Sequence, residues 1–419
     1  MITVLWEDFL WEKYYPLTLT HAVFELRIGC LNLIERAKHY FPENTIFAVA
    51  RSELREKLSS EGIKPLSSAD VSEKALFING RAVPRKEDFA KFTECEETTI
   101  FLSNDTVVAI FVLPEDLAKI AEIMNSPPTE NSYRQLAEKF PKKECNVTIT
   151  SAIWEIIHIN SRQISLDFAD IFSDMASLGM IHERAVVFGD VRVGGGSVVS
   201  PFAVLDGSEG PVIVGRNVEI SPCAVILGPA YIGDGTKIMP HAKIREGTSI
   251  GPVCRVGGEV EESIIQGFSN KYHDGFLGHA FVGEWVNLGA LTTNSDLKNN
   301  YHNIRVSTPF GVFETGFNKI GTFIGDHAKL GIGSLLPSGG TIGVCANFFG
   351  GGMAPKALPS FVWGSLDDGF VDYDLEKAID TARIVMGRRE RELTPQLEAL
   401  LRSVFERTKK DREQFFGME

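Results

Sequence analysis

Branched aliphatic residues recur at every sixth position over a long stretch of the chain. The unbroken run comprises Val214, Ile220, Ile226, Ile232, Ile238, Ile244, Ile250 and Val256. If about one residue in four is such an aliphatic, eight hits in register have a chance on the order of one in 10⁵. Neither the α-helix, with a period near 3.6, nor an extended strand, with a period of 2, produces this spacing. A chain that turns a corner after each short strand does, so the pattern predicts a parallel β-helix built from hexapeptides.

The same spacing extends in both directions. Upstream it includes Ile181, Val187, Val193, Val199 and Leu205, and downstream it includes Phe276, Val282, Leu288, Ile324, Leu330, Leu336, Ile342 and Phe348. A nine-residue step separates Leu205 from Val214, and residues 257–320 break the register. Three hexads close one triangular coil, and successive coils are expected to stack at about 4.8 Å. Residues 257–320 therefore include an insertion that leaves the prism as a loop.

Composition narrows the class of protein. The chain has 419 residues, which predicts at least two domains. Its net charge of −13 argues against a general nucleic-acid binder but not against a small anionic substrate. No apolar run has the length of a membrane span, and the N-terminus lacks the basic region of a signal peptide, so we expect a cytoplasmic protein. The six cysteines are scattered, which indicates thiols rather than a disulfide framework.

The first part of the chain alternates short apolar runs with helical segments. We predict strands at 46–50, 75–79 and 107–112 and helices at 31–40, 52–60 and 114–124. Such alternation predicts an α/β domain with a largely parallel sheet. The Pro127-Pro128-Thr129 segment predicts a loop, and residues 151–180 a helical connection to the prism.

The last part of the chain is predicted to be helical. Apolar residues at helical spacing lie between Asp374 and Arg389, and Thr394-Pro395 resembles an N-cap followed by proline at the first helical position. We therefore divide the chain into an α/β domain at 1–175, a β-helix at 176–360 with an inserted loop at about 291–319, and a helical tail at 361–419.

Polar residues concentrate where the hexad register breaks. Histidine can act as a general base near neutral pH, so His273 is a candidate base. Cationic and amide side chains nearby could bind a phosphate or orient sugar hydroxyls: Arg245, Lys271, Asn287, Asn294 and Lys298. Each of these residues has a structural alternative, because histidine and asparagine also occupy β-helix corners for reasons of backbone geometry.

The hexads together with Tyr272-His273-Asp274-Gly275-Phe276-Leu277-Gly278 and Val286-Asn287-Leu288-Gly289-Ala290 resemble a known family. They are similar to the acetyltransferase half of the bifunctional enzyme that makes UDP-N-acetylglucosamine. Over nearly its full length, the chain resembles the divergent bacterial branch of that family, which is described as sugar-nucleotidyltransferase-like. The resemblance implies a left-handed β-helix preceded by a nucleotidyltransferase-like, Rossmann-like α/β domain.

The resemblance also implies roles for residues of the β-helix. His273 corresponds to the catalytic base, Arg245 to an arginine that contacts the sugar phosphate, and Asn287 to the asparagine of a Val-Asn-Ile-Gly-Ala-Gly motif. The backbone amide of Ala290 corresponds to the group that faces the carbonyl of acetyl-CoA. Lys271, Asn294 and Lys298 are further substrate-binding candidates. The family forms this site between the subunits of a trimer, which implies a homotrimer.

The N-terminal domain departs more strongly from the family. It lacks the glycine-rich turn that cradles a triphosphate but retains Pro16-Leu17-Thr18-Leu19-Thr20, which resembles the segment after that turn. Nucleotide-binding candidates are Leu17, Thr18, Thr20, Arg27, Asn79 and Arg81. Mg²⁺ is implied for any activity of this domain, although Asn79-Gly80-Arg81 has no aspartate where the family places one, and no metal ligands are assigned.

Three functions are compatible with these patterns. The first is a transferase of amino-sugar nucleotide biosynthesis, whose β-helix N-acetylates a hexosamine 1-phosphate with acetyl-CoA. In this hypothesis the N-terminal domain could also transfer a nucleotidyl group from a nucleoside triphosphate to a sugar 1-phosphate. The second is a nucleotidyltransferase whose β-helix only oligomerises. The third is a non-catalytic sugar-nucleotide-binding regulator. No nucleic-acid or membrane partner is expected. The coincidence of the polar cluster with the register break favours the first.

Overall fold

The computed structural model describes residues 1–66, 73–125, 136 and 138–417, and the predicted loop at 127–129 lies outside them. The chain forms two compact units. The first contains residues 1–14, 21–26 and 31–153, and the second contains residues 15–20, 27–30 and 154–419. Two short segments near the N-terminus therefore belong to the second unit, although they precede most of the first in sequence.

The first unit contains a seven-stranded mixed sheet and a short two-stranded one. In chain order the strands are β1 (Ile2–Trp6), β2 (Ile46–Val49), β3 (Lys64–Pro65), β4 (Ala75–Asn79), β5 (Ala82–Val83), β6 (Thr99–Ser103), β7 (Thr106–Val112), β8 (Lys142–Glu144) and β9 (Thr148–Ile149). The large sheet has the order β3-β2-β1-β4-β7-β6-β8, and β5 pairs with β9. Strands β1 to β4 run parallel, whereas β7 is antiparallel to both β4 and β6. The prediction of an α/β fold is confirmed.

Helices connect the strands of the first unit. They are α1 (Leu33–Tyr40), α2 (Arg55–Ser60), α3 (Lys86–Thr93) and α4 (Pro114–Asn125). Helix α1 begins with a capping box, in which the Asn32 side chain accepts from the Glu35 amide and Glu35 accepts from the Asn32 amide. The predicted strands and helices of this unit are confirmed to within a few residues, because their apolar runs are buried on the sheet.

The second unit is a three-sided parallel β-helix. Its first face consists of strands Met180–Ile181, Val198–Val199, Glu219–Ile220, Lys237–Ile238, Arg255–Val256, Asn270–Lys271, Asn287–Leu288, Lys329–Leu330, Asn347–Phe348, Val362–Ser365 and Gly369–Asp372. The second face consists of Val186–Val193, Val204–Val214, Val225–Leu227, Lys243–Ile244, Glu259–Glu261, Phe276–Gly278, Thr293–Asn294, Ser334–Leu336 and Gly352–Met353. The third face continues from the long strands Val186–Val193 and Val204–Val214 through Ala230–Ile232, Thr248–Ile250, Ile264–Gly267, Phe281–Glu284, Phe323–Ile324, Thr341–Ile342 and Ala357–Leu358.

Most of the predicted hexad residues form the interior of this prism, but Ile181 and Val187 are each 39% exposed, and Leu277 rather than Phe276 belongs to the core. All eight, from Val214 to Val256, are completely buried. They stack on equivalents one coil away, as Ile220 pairs with Ile238 and Ile238 pairs with Val256. Full burial of such a side chain contributes roughly 1.5–3 kcal/mol, so this spine supplies much of the stability of the second unit. The predicted left-handed β-helix is confirmed.

Two departures from the hexad rule have structural explanations. At the nine-residue step the chain forms one long strand, Val204–Val214, which passes from the second face to the third. At the second break the chain leaves the prism after Thr293–Asn294 and returns at Phe323–Ile324. The intervening segment folds into an antiparallel hairpin of Arg305–Thr308 and Gly311–Glu314 rather than an irregular loop.

Helices flank the prism. Helix α5 (Ile153–Asp167) precedes it and continues as a π-helical turn, Phe168–Phe172. The tail forms α6 (Leu375–Gly387), α7 (Pro395–Arg407) and α8 (Lys409–Phe416). Thr394 caps α7 through a hydrogen bond from the Leu397 amide, which confirms the predicted start of that helix. In the part of the chain that the structure describes, no helix is long and apolar enough to cross a membrane.

Candidate active site

The edge between the first and second faces of the prism carries the predicted catalytic residue. His273 lies in the corner that follows strand Asn270–Lys271, and its side chain is exposed. The corner of the next coil stacks directly on it, because the Leu291 amide donates to the Asp274 carbonyl at 2.9 Å. Ala290 is therefore beside the His273 corner, and the roles that the resemblance implies for these two residues stay predictions.

Lys271 supports this corner from within. Its ammonium group is buried and donates to the carbonyls of Gly257 at 2.9 Å and His273 at 3.0 Å. Burial lowers the Lys271 pKa to about 8, although Asp274 opposes the shift. A buried ammonium that donates to two carbonyls holds the backbone of the corner in place, so the geometry gives Lys271 a positioning role, and its predicted substrate contact stays a prediction.

Asn287 lies on the first face, one coil above Asn270. Its side chain is exposed, and its Oδ1 accepts from Asn270 Nδ2 at 3.4 Å. A weak hydrogen bond to another exposed amide leaves Asn287 able to exchange partners. The edge thus brings His273, Asn287 and the backbone of Ala290 into one region, and Lys271 stabilises it.

The other three substrate-binding candidates are on the second face or beside it. The side-chain amide of Asn294 is buried and binds the backbone of strand Phe276–Gly278 in the preceding coil. Its Oδ1 accepts from the Gly278 amide at 2.7 Å, and its Nδ2 donates to the Gly278 carbonyl at 2.8 Å. Lys298 donates to the Asn303 carbonyl at 2.7 Å. These contacts stabilise the insertion, and the predicted roles of both residues in substrate binding stay predictions.

Arg245 is held by carboxylates. Its guanidinium lies 2.9 Å from Glu261, 3.0 Å from Glu246 and 3.8 Å from Glu259. Burial lowers the Arg245 pKa, but the three carboxylates together raise it by more than burial lowers it. The net shift of the Arg245 pKa is therefore upward. A phosphate that approached Arg245 would have to compete with all three groups.

One polar cluster was not selected from the sequence. The His279 Nδ1 lies 2.8 Å from Asp296, and its Nε2 lies 3.8 Å from Glu262, with the His279 side chain only 5% exposed. Asp296 is 17 residues after His279, which is close to one coil of the prism, and this spacing is the signal that could have identified the pair. With a carboxylate at each ring nitrogen and little exposure, His279 anchors the insertion to the prism.

His158 of α5 packs against this cluster. Its ring stacks on Phe317 with centroids 3.7 Å apart and lies 6.2 Å from the His279 ring, while its Nε2 has no hydrogen-bond partner among the described residues. Burial, followed by repulsion from His279, lowers the His158 pKa to about 4. The folded protein therefore keeps His158 neutral at physiological pH.

This shift predicts a pH dependence of stability. Because the unfolded chain protonates His158 near pH 6.5 and the folded protein only near pH 4, the contribution of neutral His158 is complete above pH 6.5 and is lost as the pH falls towards 4. We expect the melting temperature of His158→Phe to decline less than that of the wild type between pH 7 and 4. Parallel curves in differential scanning calorimetry would contradict this expectation, and the exposed His182→Phe serves as the control.

The six nucleotide-binding candidates are divided between the two units. Leu17, Thr18, Thr20 and Arg27 belong to the second unit, whereas Asn79 and Arg81 belong to the first. All six are buried. Within the second unit, Thr20 Oγ1 donates to Asp326 at 2.8 Å, and Arg27 donates its amide to Gln266 and its guanidinium to the Cys30 carbonyl. The structure does not bring the six residues into one site within either unit.

Charged pairs fill the carboxyl ends of the parallel strands in the first unit. Asp8, two residues after β1, pairs with Arg81 Nε at 2.6 Å and accepts from Asn79 Nδ2 at 3.2 Å. Glu7 pairs with Arg51 at 2.7 Å. Burial raises the Glu7 pKa, and Arg51 opposes this shift. This edge is where open α/β sheets bind their ligands, and here the chain's own ion pairs occupy it.

Parts of the chain are similar to known proteins. Residues 3–175 match the family described as sugar nucleotidyl transferase. The chain is 30% identical over 166 residues to the bifunctional protein GlmU of Acaryochloris marina, covering 39% of this chain and 31% of the relative. It is 28% identical over 231 residues to GlmU of Synechococcus elongatus, covering 49% of this chain and 46% of the relative. The matched segments thus span a third to a half of these relatives.

A solved structure shows a weaker likeness. The UDP-N-acetylglucosamine acyltransferase of Francisella novicida superimposes with a TM-score of 0.34 at 16% identity, over 52% of this chain and 75% of that one. This score is too low to bear on the fold, which rests on the strand pairings above. The fold and the matches together define a sugar nucleotidyl transferase-type domain joined to a hexapeptide β-helix. The chain is thus similar in part to the sugar nucleotidyl transferase family and to bifunctional GlmU proteins, and the predicted resemblance is confirmed.

Proposed function

We propose that the protein is a transferase of amino-sugar nucleotide biosynthesis whose β-helix acetylates the amine of a hexosamine 1-phosphate with acetyl-CoA. The observation that carries this proposal is the exposed His273 corner, which lies against the Ala290 corner of the next coil. The proposal also draws on the similarity of the chain to bifunctional GlmU proteins.

The chemistry follows from these positions. The His273 imidazole removes a proton as the sugar amine attacks the thioester carbon of acetyl-CoA. The tetrahedral intermediate collapses with cleavage of the carbon–sulfur bond, the amide forms, and the thiolate of coenzyme A takes a proton. Backbone or side-chain N–H groups, here those of Ala290 and Asn287, stabilise the oxyanion, and one such donor typically contributes about 3–4 kcal/mol.

The same edge of the prism supports a proposal about assembly. Four large apolar side chains on this edge are exposed, namely Phe202 at 57%, Tyr272 at 41%, Leu291 at 63% and Ile332 at 75%. Three of them, Tyr272, Leu291 and Ile332, lie in the corners of successive coils, and an apolar patch of this kind is typical of a surface that another protein covers. We propose that copies of the chain meet along this edge as a homotrimer, which light scattering coupled to size exclusion would measure.

A direct assay tests the acetyl transfer. The purified protein is incubated with glucosamine 1-phosphate and acetyl-CoA, and free thiol is followed with a chromogenic reagent. We expect thiol release that depends on the sugar phosphate. Release at the rate of spontaneous thioester hydrolysis would refute the proposed function.

A different role fits the first unit. Its predicted nucleotide contacts Asn79 and Arg81 are engaged with Asp8 in the interior, and no group of three or more acidic, histidine or cysteine side chains suited to a metal occurs among the described residues. Mg²⁺ therefore does not fit the groups at this edge, since Glu7 and Asp8 each already neutralise an arginine. We propose, as the second candidate, that this unit binds a sugar nucleotide without catalysis.

Pyrophosphate release distinguishes the two roles of the first unit. The protein is incubated with UTP or dTTP, a sugar 1-phosphate and Mg²⁺, and pyrophosphate is detected by a coupled assay. A non-catalytic unit gives no release above background, whereas turnover would establish nucleotidyl transfer and overturn the second candidate.

A further inference from the structure

A cavity of about 330 Å³ lies between the first face of the β-helix and the C-terminal end of α6. The floor of this cavity is formed by outward-facing residues of three successive strands, Arg255, Asn270 and Asn287, together with the aromatic pair of Phe268 and Trp285. The roof is formed by the end of α6 and the residues that follow it. The acetyl transfer proposed above assigns no role to this space or to the tail helix.

Four cations surround the cavity, and no carboxylate lines it. The cations are Arg255, Lys329, Arg388 and Arg389. None of the four forms an ion pair with any residue that the structure describes. This arrangement is unusual in a chain with a net charge of −13, where acidic partners outnumber basic ones.

Arg389 shows most clearly that the positive charge in the cavity lacks acidic partners. Its guanidinium donates to Asn270 Oδ1 at 2.8 Å, but its buried Nε has no hydrogen-bond partner among the described residues. Burial lowers the Arg389 pKa, and repulsion from Arg255 and Arg388 lowers it further. A guanidinium with an unsatisfied donor and two cationic neighbours is poorly stabilised without a counter-ion.

Lys329 lies half-buried in the same cluster. Its ammonium donates to the carbonyls of Trp285 and His327, each at 2.8 Å, so it adds positive charge to the cavity without an acidic partner in contact. Asp326 acts on Lys329 from a distance, but its Oδ1 and Oδ2 accept from the Glu284 amide and the Thr20 hydroxyl. The local charge is therefore positive, and the side-chain amides of Asn270 and Asn287 lie beside it.

We propose that this cavity binds the phosphate or diphosphate group of a small-molecule ligand. Arginines match phosphate oxygens with paired N–H donors, and a phosphate that entered the cavity would accept from the unsatisfied Nε of Arg389 while neutralising Arg255 and Arg388. The volume accommodates a diphosphate but not a folded macromolecule. Asn287 lines both this cavity and the candidate active site, so a phosphorylated substrate or the phosphates of the acyl donor could reach it.

The test uses inorganic pyrophosphate as the probe. Isothermal titration calorimetry of the full chain at low ionic strength measures its affinity, and we expect Arg255→Gln and Arg389→Gln each to weaken binding at least tenfold. Arg383→Gln is the matched control, because Arg383 lies on α6, near Arg389, and carries the same charge but pairs with Asp380 and Glu398 outside the cavity. It should change the affinity by less than twofold.

A second measurement separates loss of binding from loss of folding. Among the charged residues that line the cavity, Arg255 has only like-charged neighbours. In a buffer without phosphate or other polyvalent anions, Arg255→Gln should therefore melt no lower than the wild type. Pyrophosphate should raise the melting temperature of Arg255→Gln by less than it raises that of the wild type. Competition with coenzyme A and with glucosamine 1-phosphate identifies the source of the phosphate. Undetectable pyrophosphate binding by the wild type, or equal weakening by Arg383→Gln, would overturn the proposal. Neither result would affect the thiol-release test of acetyl transfer.

Discussion

His273→Ala is expected to lower the rate of acetyl transfer by about 10²–10⁴-fold, the usual contribution of a general acid–base group. The imidazole is exposed at the corner, so its removal leaves no cavity in the core and exposes no buried polar group. The melting temperature should therefore remain close to that of the wild type. Thiol release from acetyl-CoA, measured at saturating sugar phosphate, reports the change in kcat.

His241 provides a matched control for this substitution. It is an exposed histidine on the same edge of the prism, in the corner between strands Lys237–Ile238 and Lys243–Ile244, and it is not part of the proposed site. His241→Ala should leave the rate within twofold of the wild type. Equal rates for the wild type and His273→Ala would remove the base from the proposed mechanism, even if the wild type proved to be an acetyltransferase.

The fold of the second unit could be predicted because one physical requirement repeats in every coil. Each hexad residue must fill the same interior position, so the aliphatic residues from Val214 to Val256 mark the winding directly in the sequence. The break in the hexad register restricts the search for polar residues to 257–320, but His273 itself lies in a corner within the winding, because the chain leaves the prism only after Thr293–Asn294.

Contacts between distant elements could not be predicted in this way. The stripe of α6 predicts a buried face, but it does not indicate that the helix end brings Arg388 and Arg389 to the first face of the prism. The separation of His279 and Asp296, 17 residues, is close to one coil, but the spacing alone does not show that the two side chains face each other. Likewise, Arg81 could be read as a phosphate ligand or as the partner of an acid, and the sequence does not distinguish these.

Arg81→Met is expected to destabilise the first unit by about 3–5 kcal/mol, because it leaves the Asp8 carboxylate buried without its counter-ion. Asp8 and Arg81 are only 2% and 3% exposed, and the arginine also donates to the Thr150 carbonyl at 2.6 Å. The substitution therefore removes one ion pair and one further hydrogen bond from the interior. Hydrogen exchange measured on peptides from β1 and β4 reports the stability of this unit separately from that of the β-helix.

Two variants distinguish this role of Arg81 from a role in nucleotide binding. Arg85→Met removes a partly exposed arginine whose pairing with Glu87, at 3.9 Å, should contribute less than about 1 kcal/mol. The double variant Asp8→Leu/Arg81→Met removes both charges, so it should recover much of the stability lost in Arg81→Met. If Arg81→Met instead exchanged like the wild type but bound a sugar nucleotide more weakly, Arg81 would be a ligand contact, and the ion pair with Asp8 would have to open when the nucleotide binds.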